Sequence, residues 1–507
     1  MSIIKKLASQ TAIYGIPTML GRFLNYLLVP LYLQKLETAA DYGVVSVMFT
    51  IASFMAIVVS LGLETGFFRY AKLTENPTKV FATTSITLIF TGLIFTLLTQ
   101  TFAGNIMAEI GYPQHPEYAT WFAVILATDA LSALGFAWLR QQNQAWKFAA
   151  IRIANILINI LANLFFLLLC PYLLQQELAN PIAMQNPSAW IQWLQYNTQP
   201  TQMVANIFLS NLIASVITLF LFGNVWKNLK AGLDIALLKS IFAYSLPLVL
   251  VGLAGMINET LDRLFLKHLL PESIADTQTG IYGAFYKLSL VLTLFIQAFK
   301  FAAEPFFFSK SGDRDAPHTY AYVMKYFIYA VGGIYVFTLA IMPYLAPLLL
   351  RKPIYYQNVD GLHIIPVLLL ANLCLGIYYN LSIWYKLSGN TTMGAIVATT
   401  GAVITIAGNY WGIPKYGFVA SAYTTLFAYA SMVVISYFTG QKFYPVPYKV
   451  FRLLAILFIA AFPVTWLYYN PDIQLPISIA LARFISLIIF VFAIFVNEKT
   501  QPSKFNG

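Results

Sequence analysis

Apolar segments long enough to cross a membrane follow one another along the whole chain, and short polar turns separate them. Each covers roughly 20–27 residues, which suits a helix rising 1.5 Å per residue through about 30 Å of hydrocarbon. They lie at residues 9–33, 42–68, 80–103, 117–139, 148–174, 203–225, 240–267, 281–306, 322–349, 362–388, 391–411, 417–440, 448–469 and 476–497. The pattern predicts an all-α polytopic membrane protein with about 14 transmembrane helices.

Composition supports a membrane protein and excludes other classes. Of the 507 residues, 59% are hydrophobic and only 10% are charged, whereas a soluble domain carries about 25% charged residues. Cys170 and Cys374 lie inside apolar segments and the four histidines are scattered, so we expect no disulfide framework, no metal site and no cofactor. Arg22 and Asn25 interrupt the first apolar segment and no cleavage site follows it, so we expect a retained span.

The basic residues predict the orientation of the spans. If the N-terminus is cytoplasmic, about twenty basic residues of the connections fall on the inner side and five on the outer side. The outer five are Lys35, Lys267, Arg351, Lys352 and Lys415. This asymmetry predicts that both termini are cytoplasmic, and it accounts for the net charge of +11 without a nucleic-acid partner.

Short motifs recur in the same order in two parts of the chain. Tyr14-Gly-Ile-Pro17 in the first span resembles Tyr244-Ser-Leu-Pro247 in the seventh, and Asp41-Tyr-Gly43 resembles Gly280-Ile-Tyr-Gly283. Six spans followed by six spans predict two parallel lobes with a substrate site between them near the middle of the membrane. The predicted parts are an N-terminal lobe at 1–235, a C-terminal lobe at 236–442, and a helix pair with a cytoplasmic tail at 443–507.

Ionisable residues lie inside the seventh and eighth spans. They are Glu259, Asp262, Arg263, Lys287, Lys300 and Glu304. A charge in hydrocarbon costs at least ~2.5–3.5 kcal/mol, so each needs a partner, a water-filled cavity or a function. The first three share one helix face because they are spaced three and four residues apart. The two spans are therefore predicted to form part of the wall of a polar cavity.

Two further features have alternative interpretations. Arg22, near the middle of the first span, either pairs with an acid such as Glu64 or binds an anion, because a guanidinium forks onto phosphate oxygens. A stripe of three asparagines on the fifth span either links helices or lines a cavity suited to sugar hydroxyls. The stripe is Asn155, Asn159 and Asn163, and the amides that can join the same lining are Asn25, Asn258, Asn372 and Asn380.

The chain resembles a known family in three motif groups. The first is Gly21-Arg-Phe-Leu-Asn25 with Pro30 and Asp41-Tyr-Gly43, and the second is Asp262-Arg263 followed by Gly280-Ile-Tyr-Gly-Ala-Phe-Tyr-Lys287. The third is Ile413-Pro-Lys-Tyr-Gly-Phe-Val-Ala-Ser-Ala422. Together they resemble the polysaccharide (O-antigen) flippases of the multidrug/oligosaccharidyl-lipid/polysaccharide exporter superfamily, over nearly the whole chain.

The resemblance implies a V-shaped, two-lobed transporter that works by alternating access and is not an enzyme. It implies a bacterial inner-membrane location and an oligosaccharide on a polyprenyl diphosphate as substrate, moved from the inner to the outer leaflet. Related lipid II flippases bind the diphosphate with arginines of the first lobe, and their last two helices hold the lipid tail. Arg22 is the matching diphosphate candidate here, and Arg483 falls in the candidate tail groove at 448–497.

The full set of expected site residues follows from these arguments. The substrate-binding candidates are Arg22, Asn25, Asn155, Asn159, Asn163, Asn258, Arg263, Lys287 and Lys300. Glu259 and Asp262 depart from a purely cationic cavity, which leaves coupling to Na⁺ or H⁺ open. The ion-coupling candidates are Glu64, Glu259, Asp262 and Glu304. Membrane lipids are further expected partners, and polysaccharide polymerase machinery is a candidate partner.

Three alternative functions stay open at this point. A drug/cation antiporter of the same superfamily would require a cavity dominated by acids and aromatics. A lipid II flippase would use the same cationic chemistry. A membrane glycosyltransferase or polymerase would require large external loops with catalytic acids, and residues 175–201 offer only Glu177.

Overall fold

The computed structural model describes residues 20, 21, 23–179, 187–310, 313–388, 390–470, 472 and 478–499. In this part of the chain every regular element is a helix, and 13 helices are long and apolar enough to cross a membrane. The first predicted span adds a helical segment at residues 23–35, called α1. The prediction of an all-helical membrane protein with about 14 spans is therefore confirmed.

The first compact unit comprises the described residues up to Met256. Its helices are α2 (Ala39–Ser60), α3 (Leu63–Leu73), α4 (Pro77–Thr101), α5 (Ala103–Ile110), α6 (Pro116–Gln141), α7 (Ala145–Leu164), α8 (Cys170–Leu178), α9 (Ala189–Asn197) and α10 (Pro200–Leu221). A π-helical turn at Phe165–Leu169 joins α7 to α8, and a 3₁₀ helix at Gly223–Ala231 follows α10. Helix α6 packs against α2, α3, α4 and α10 and is the central helix of this unit.

The second compact unit comprises the described residues from Ile257 onward. Its helices are the end of α11 (Ile235–Leu269), α12 (Glu272–Lys310), α13 (Ala316–Leu350), α14 (Pro353–Tyr356), α15 (Val359–Leu381), α16 (Ile383–Leu387), α17 (Thr391–Tyr416), α18 (Phe418–Phe443), α19 (Val450–Tyr469) and α20 (Ile479–Lys499). Helix α15 packs against α12, α13 and α18, while α13, α19 and α20 pack against one another. The predicted lobe boundaries at residues 235 and 442 stay predictions.

The second predicted span is broken into α2 and α3 at a left-handed turn. Leu61 and Gly62 have φ of 51° and 65°, a region that glycine adopts without the steric cost of a Cβ. A Cβ on Gly62 would lie 2.8 Å from the main-chain oxygen of Ser245 on α11. The turn thus lets α3 approach α11 closely, a contact that hydrophobic length alone does not predict.

The polar segment at 175–201 contains more helix than the sequence suggests. Ser188 caps α9, since its Oγ accepts a hydrogen bond from the Ile191 amide at 3.3 Å. Trp193 lies against Phe165 and Phe166 of the π-helical turn, with ring centroids 6.2 and 6.4 Å apart. Aromatic packing therefore anchors a segment whose composition reads as a loop.

Candidate functional site

The charged residues predicted on the seventh and eighth spans lie together on α11 and α12. Asp262 and Arg263 are buried, with 3% and 6% of their surface exposed. The Asp262 Oδ1 atom accepts the Arg263 amide at 2.8 Å and lies 3.3 Å from Arg263 Nη1. Its Oδ2 atom accepts a hydrogen bond from the Tyr282 hydroxyl. The carboxylate is thus satisfied by a charge and a phenol inside the protein, as a buried charge requires.

The Arg263 guanidinium rests on aromatic rings. It lies 4.4 Å from the ring centroid of Tyr286 and 5.7 Å from that of Tyr282, distances at which a cation is attracted to the ring quadrupole. Its Nη1 atom also approaches the main-chain oxygen of Glu259 at 3.5 Å. Tyr282 and Tyr286 are functional candidates that the sequence reading did not select, although their spacing of four residues puts them on one face of α12.

A more accessible group of charges lies beside this buried pair. The Glu259 side chain is exposed, and Lys287 is partly buried within electrostatic range of Glu259 and Arg263. Lys300 Nζ lies 4.5 Å from the ring centroid of Tyr379, and both residues line a small pocket with Asn380. The structure therefore brings Glu259, Asp262, Arg263 and Lys287 together, while Lys300 lies about 20 Å further along α12 beside Tyr379. The Glu304 side chain lies outside the described part of the structure.

Asn258 is bonded within the protein. Its Nδ2 donates to the Ala398 carbonyl at 3.0 Å, and its Oδ1 accepts from Thr405 Oγ1 at 3.2 Å. The Tyr429 hydroxyl donates to the Asn258 carbonyl at 3.2 Å. These bonds tie α11 to α17 and α18.

The other two amides of the second unit are also bonded inside the protein. Asn372 Nδ2 donates to Ser289 Oγ at 3.1 Å, and Asn380 Nδ2 donates to the Gly376 carbonyl at 3.2 Å. The first bond joins α15 to α12, and the second lies within α15. Asn372 therefore links two helices, whereas Asn380 also lines the small pocket beside Lys300.

The asparagine stripe of the fifth span lies in the interface between α7 and α10. Asn155 Nδ2 donates to Thr218 Oγ1 at 2.8 Å, and Asn159 Nδ2 donates to Asn211 Oδ1 at 3.1 Å. Asn163 Nδ2 donates to Asn159 Oδ1 at 2.7 Å. Of the two interpretations, the described contacts correspond to the one in which amides link membrane helices.

Two of the remaining candidates lie in the first unit. Glu64 forms an ion pair with Arg140 of α6 and accepts a hydrogen bond from it. Asn25 is exposed on α1. Arg22, the diphosphate candidate, lies outside the described residues.

One intramembrane acid was missed in the sequence reading. Asp129 stands near the middle of α6, where Ser215 of α10 and Arg152 of α7 face it. The Asp129 side chain is exposed on its helix, and an acid in the middle of a membrane span is a functional candidate by default, because a charge in hydrocarbon is costly. Its isolated position among apolar residues was the signal that could have found it.

Arg483, the candidate for the tail groove, lies one turn inside α20 and is 7% exposed. Its Nη2 donates to the Leu467 carbonyl in the last turn of α19 at 3.2 Å. The guanidinium lies 5.8 Å from the ring centroid of Tyr468. The residue is therefore buried at one end of the last helix pair.

Known proteins similar to this chain include polysaccharide biosynthesis proteins. A family model described as "Polysaccharide biosynthesis protein" matches residues 33–172. A Lsg locus protein of Haemophilus influenzae is 26% identical over 306 residues, which cover 60% of this chain and 66% of that protein's length.

Solved membrane transporters share the fold. A lipid II flippase MurJ structure in an inward closed conformation has a TM-score of 0.67 at 15% identity and covers 96% of this chain and 99% of its own. An inward-facing multidrug resistance MATE family transporter of the MOP superfamily has a TM-score of 0.60 at 14% identity, over 85% and 97% of the two chains. The Vibrio cholerae MATE transporter VcmN in the bent form has a TM-score of 0.55 at 12% identity, over 90% and 99%.

Of the motifs that carried the resemblance in the sequence, Asp41-Tyr-Gly43 lies within the residues that the family model matches. The family match falls on the first unit, and the likeness of fold extends over nearly the whole chain. The helices described here are those of a multi-pass membrane protein. The chain is therefore similar in sequence to polysaccharide biosynthesis proteins, over part of its length, and shares the fold of the solved lipid II flippase and MATE transporters.

Proposed function

We propose that this protein moves an oligosaccharide linked to a polyprenyl diphosphate from the inner to the outer leaflet of the bacterial inner membrane, for surface polysaccharide synthesis. Both termini face the cytoplasm in this proposal, and no catalytic step is required. The observation that carries it is the cluster of charges and tyrosines on α11 and α12. Intramembrane ionisable groups mark transport pathways because burying them has no benefit for folding alone.

The charges of this cluster favour an anionic substrate. Arg263 and Asp262 form an ion pair at 3.3 Å, Glu259 is exposed, and Lys287 and Lys300 are partly buried along α12. Among these described side chains the ammonium groups outnumber the accessible carboxylate, and this favours attraction of a diphosphate. A drug/cation antiporter is disfavoured by the same excess of cations. The tyrosine hydroxyls and rings nearby suit the polar and apolar faces of a sugar.

An ion can drive the return of the empty carrier. Of the four acids expected from the sequence, Glu64 and Asp262 pair with arginines, and Glu259 is exposed beside Lys287. Glu259 is therefore the acid best placed to bind Na⁺ or H⁺. Outward movement of each negative charge is itself favoured by ~2.3 kcal/mol per 100 mV of interior-negative potential.

Export in a strain without its own polysaccharide flippase tests the proposal. Expression of the chain should restore extracellular glycan, and Lys287→Gln together with Lys300→Gln should abolish the restoration while membrane abundance is unchanged. Lys449→Gln, on the connection before α19, is the matched control and should export normally. Rescue of a strain depleted of lipid II flippase, without restoration of glycan export, would instead assign lipid II as the substrate. Full export by the double lysine variant would contradict the proposed site.

A further inference from the structure

The last helix pair carries a buried arginine whose charge is not compensated by an acid. Arg483 is 7% exposed, and no carboxylate in the described part of the chain pairs with it. The ring of Tyr468 on α19 lies 5.8 Å from its guanidinium. A guanidinium keeps its charge in a protein and offers five donors. A buried charge of this kind needs an anion, and the part of the chain that the structure describes does not supply one.

The donors of this site are largely unused. Nη2 donates to the Leu467 carbonyl at 3.2 Å, which is the usual contact of a cation with the last turn of a helix. Arg483 Nε is buried and makes no hydrogen bond, and the same holds for the hydroxyl of Tyr468, a residue that is 8% exposed. Two polar groups on neighbouring helices are thus buried together without acceptors or donors of their own. Each such group costs about 1–3 kcal/mol if it stays unsatisfied.

The opposite end of the same helix pair shows the contrast. Glu498 near the end of α20 accepts from Lys325 at 2.8 Å and from the hydroxyls of Tyr329 and Tyr326 at 3.0 and 3.2 Å. The acid of α20 is therefore fully partnered by α13, whereas its arginine is held by one carbonyl.

The depth of Arg483 indicates where its anion comes from. Helix α20 has 21 residues, so it is roughly 31 Å long and just spans the hydrocarbon of a bilayer. Arg483 lies four residues after its start at Ile479, or roughly 6 Å inside the end of the helix. A long arginine side chain that starts at this depth reaches the hydrocarbon boundary, and basic pockets between transmembrane helices bind lipid headgroups there.

We infer that Arg483 and Tyr468 form a binding site for the phosphate of a membrane lipid at this end of α19 and α20. The guanidinium binds phosphate oxygens through its fork of donors, and the Tyr468 hydroxyl donates a further hydrogen bond. Two lipids carry this chemistry, a phospholipid of the bilayer and a polyprenyl phosphate. Because the inference concerns lipid binding and not export, it can be tested independently of the proposed function.

Lipid binding to the purified full-length protein tests the site. Delipidated protein is titrated with phosphatidylglycerol, with undecaprenyl phosphate, and with a phosphate-free galactosyl diacylglycerol of matched acyl chains, and bound lipid is counted by native mass spectrometry. The wild-type protein should retain a phosphorylated lipid and release the galactolipid. The phosphorylated lipid retained at the lower concentration identifies the source. Equal retention of all three lipids by the wild-type protein would overturn the inference.

Variants separate this site from general attraction to anionic lipid. Arg483→Gln should weaken retention roughly tenfold or more, and Tyr468→Phe by less, because a charged hydrogen bond contributes more than a neutral one. Arg452→Gln changes an exposed arginine at the other end of the pair and should retain lipid as the wild type does. Arg483→Lys keeps the charge and serves if Arg483→Gln does not fold. Unchanged retention by Arg483→Gln, or equal loss in Arg452→Gln, would contradict the site.

Discussion

Asp262 and Arg263 are neighbours in sequence and form a buried ion pair with each other, with Oδ1 and Nη1 3.3 Å apart. The same oxygen accepts the Arg263 amide at 2.8 Å, and the other carboxylate oxygen accepts from Tyr282. Consecutive residues on a helix do not normally face each other. The two side chains bend toward one another here because both pack against α12. Tyr282 of that helix donates to Asp262, and the ring of Tyr286 lies against Arg263.

This pair predicts a strong and non-additive response to substitution. Asp262→Asn leaves the Arg263 charge uncompensated and should lower the free energy of unfolding by about 3–5 kcal/mol. Arg263→Met should be similarly costly, and the double variant should recover much of the loss because no charge stays buried. Thermal unfolding in detergent measures the four proteins.

Glu259→Gln is the control, since Glu259 is exposed one turn away and its loss should change stability by about 0.5 kcal/mol or less. Additive losses in the double variant would show that Asp262 and Arg263 do not act as a pair. Glycan export by the stable double variant shows whether the pair also takes part in transport. Normal export would make the pair structural, whereas lost export would place Arg263 among the substrate ligands.

The turn between α2 and α3 predicts that Gly62 cannot be replaced. Gly62→Ala adds a Cβ at a φ of 65° and 2.8 Å from the Ser245 carbonyl, so it should destabilise the protein by about 1–3 kcal/mol. Gly104→Ala is the matched control, because nothing lies within 4 Å of its Cβ position inside α5. That change should be neutral or stabilising by up to about 1 kcal/mol. Equal melting temperatures for the two variants would contradict the close contact with Ser245.

Asp129 is predicted to matter for transport more than for folding. Asp129→Asn removes the charge but keeps a side chain that can bond Ser215, so the protein should insert and melt normally while export of glycan falls. Asp360→Asn, an exposed acid in the first turn of α15, should export like the wild type. Normal export by Asp129→Asn at wild-type abundance would assign Asp129 a packing role with Arg152.

The spans could be predicted from the sequence because hydrophobicity over twenty residues is a local property. Tertiary contacts decided the rest. The break at Gly62 depends on the approach of Ser245, and the pairing of Glu64 with Arg140 depends on how α3 lies against α6. Asn258 was expected to line the cavity. Its hydrogen-bond partners Thr405 and Tyr429 come from helices that lie 147 and 171 residues further along the chain.

The topology predicts which ends of the chain are accessible from outside. In a variant with Cys170 and Cys374 replaced, a single cysteine at Ser188 should react with a membrane-impermeant thiol reagent in intact cells, and one at Ser503 should react only after lysis. Total labelling after solubilisation controls for expression. Labelling of position 503 but not position 188 in intact cells would reverse the orientation and with it the predicted direction of transport.

Arg22 is predicted to bind the diphosphate of the substrate. It lies near the middle of the first predicted span, where an uncompensated charge is costly. Glu64, the partner suggested by sequence, accepts from Arg140 in the structure. A guanidinium matches diphosphate oxygens bidentately and an ammonium does not, so Arg22→Lys should lose much of the export and Arg22→Ala more. Extracellular glycan in a strain without its own flippase is the measurement, with membrane abundance followed by immunoblot.

Arg314 supplies the matched control for that experiment, because it is an exposed arginine outside the spans and Arg314→Ala should export normally. The ordering of the two Arg22 variants carries the argument. If Arg22→Lys exports as well as the wild type while Arg22→Ala does not, a point charge suffices and the forked contact is wrong. If both export normally at full abundance, the diphosphate is bound elsewhere, and Lys287 and Lys300 of α12 become its candidate ligands.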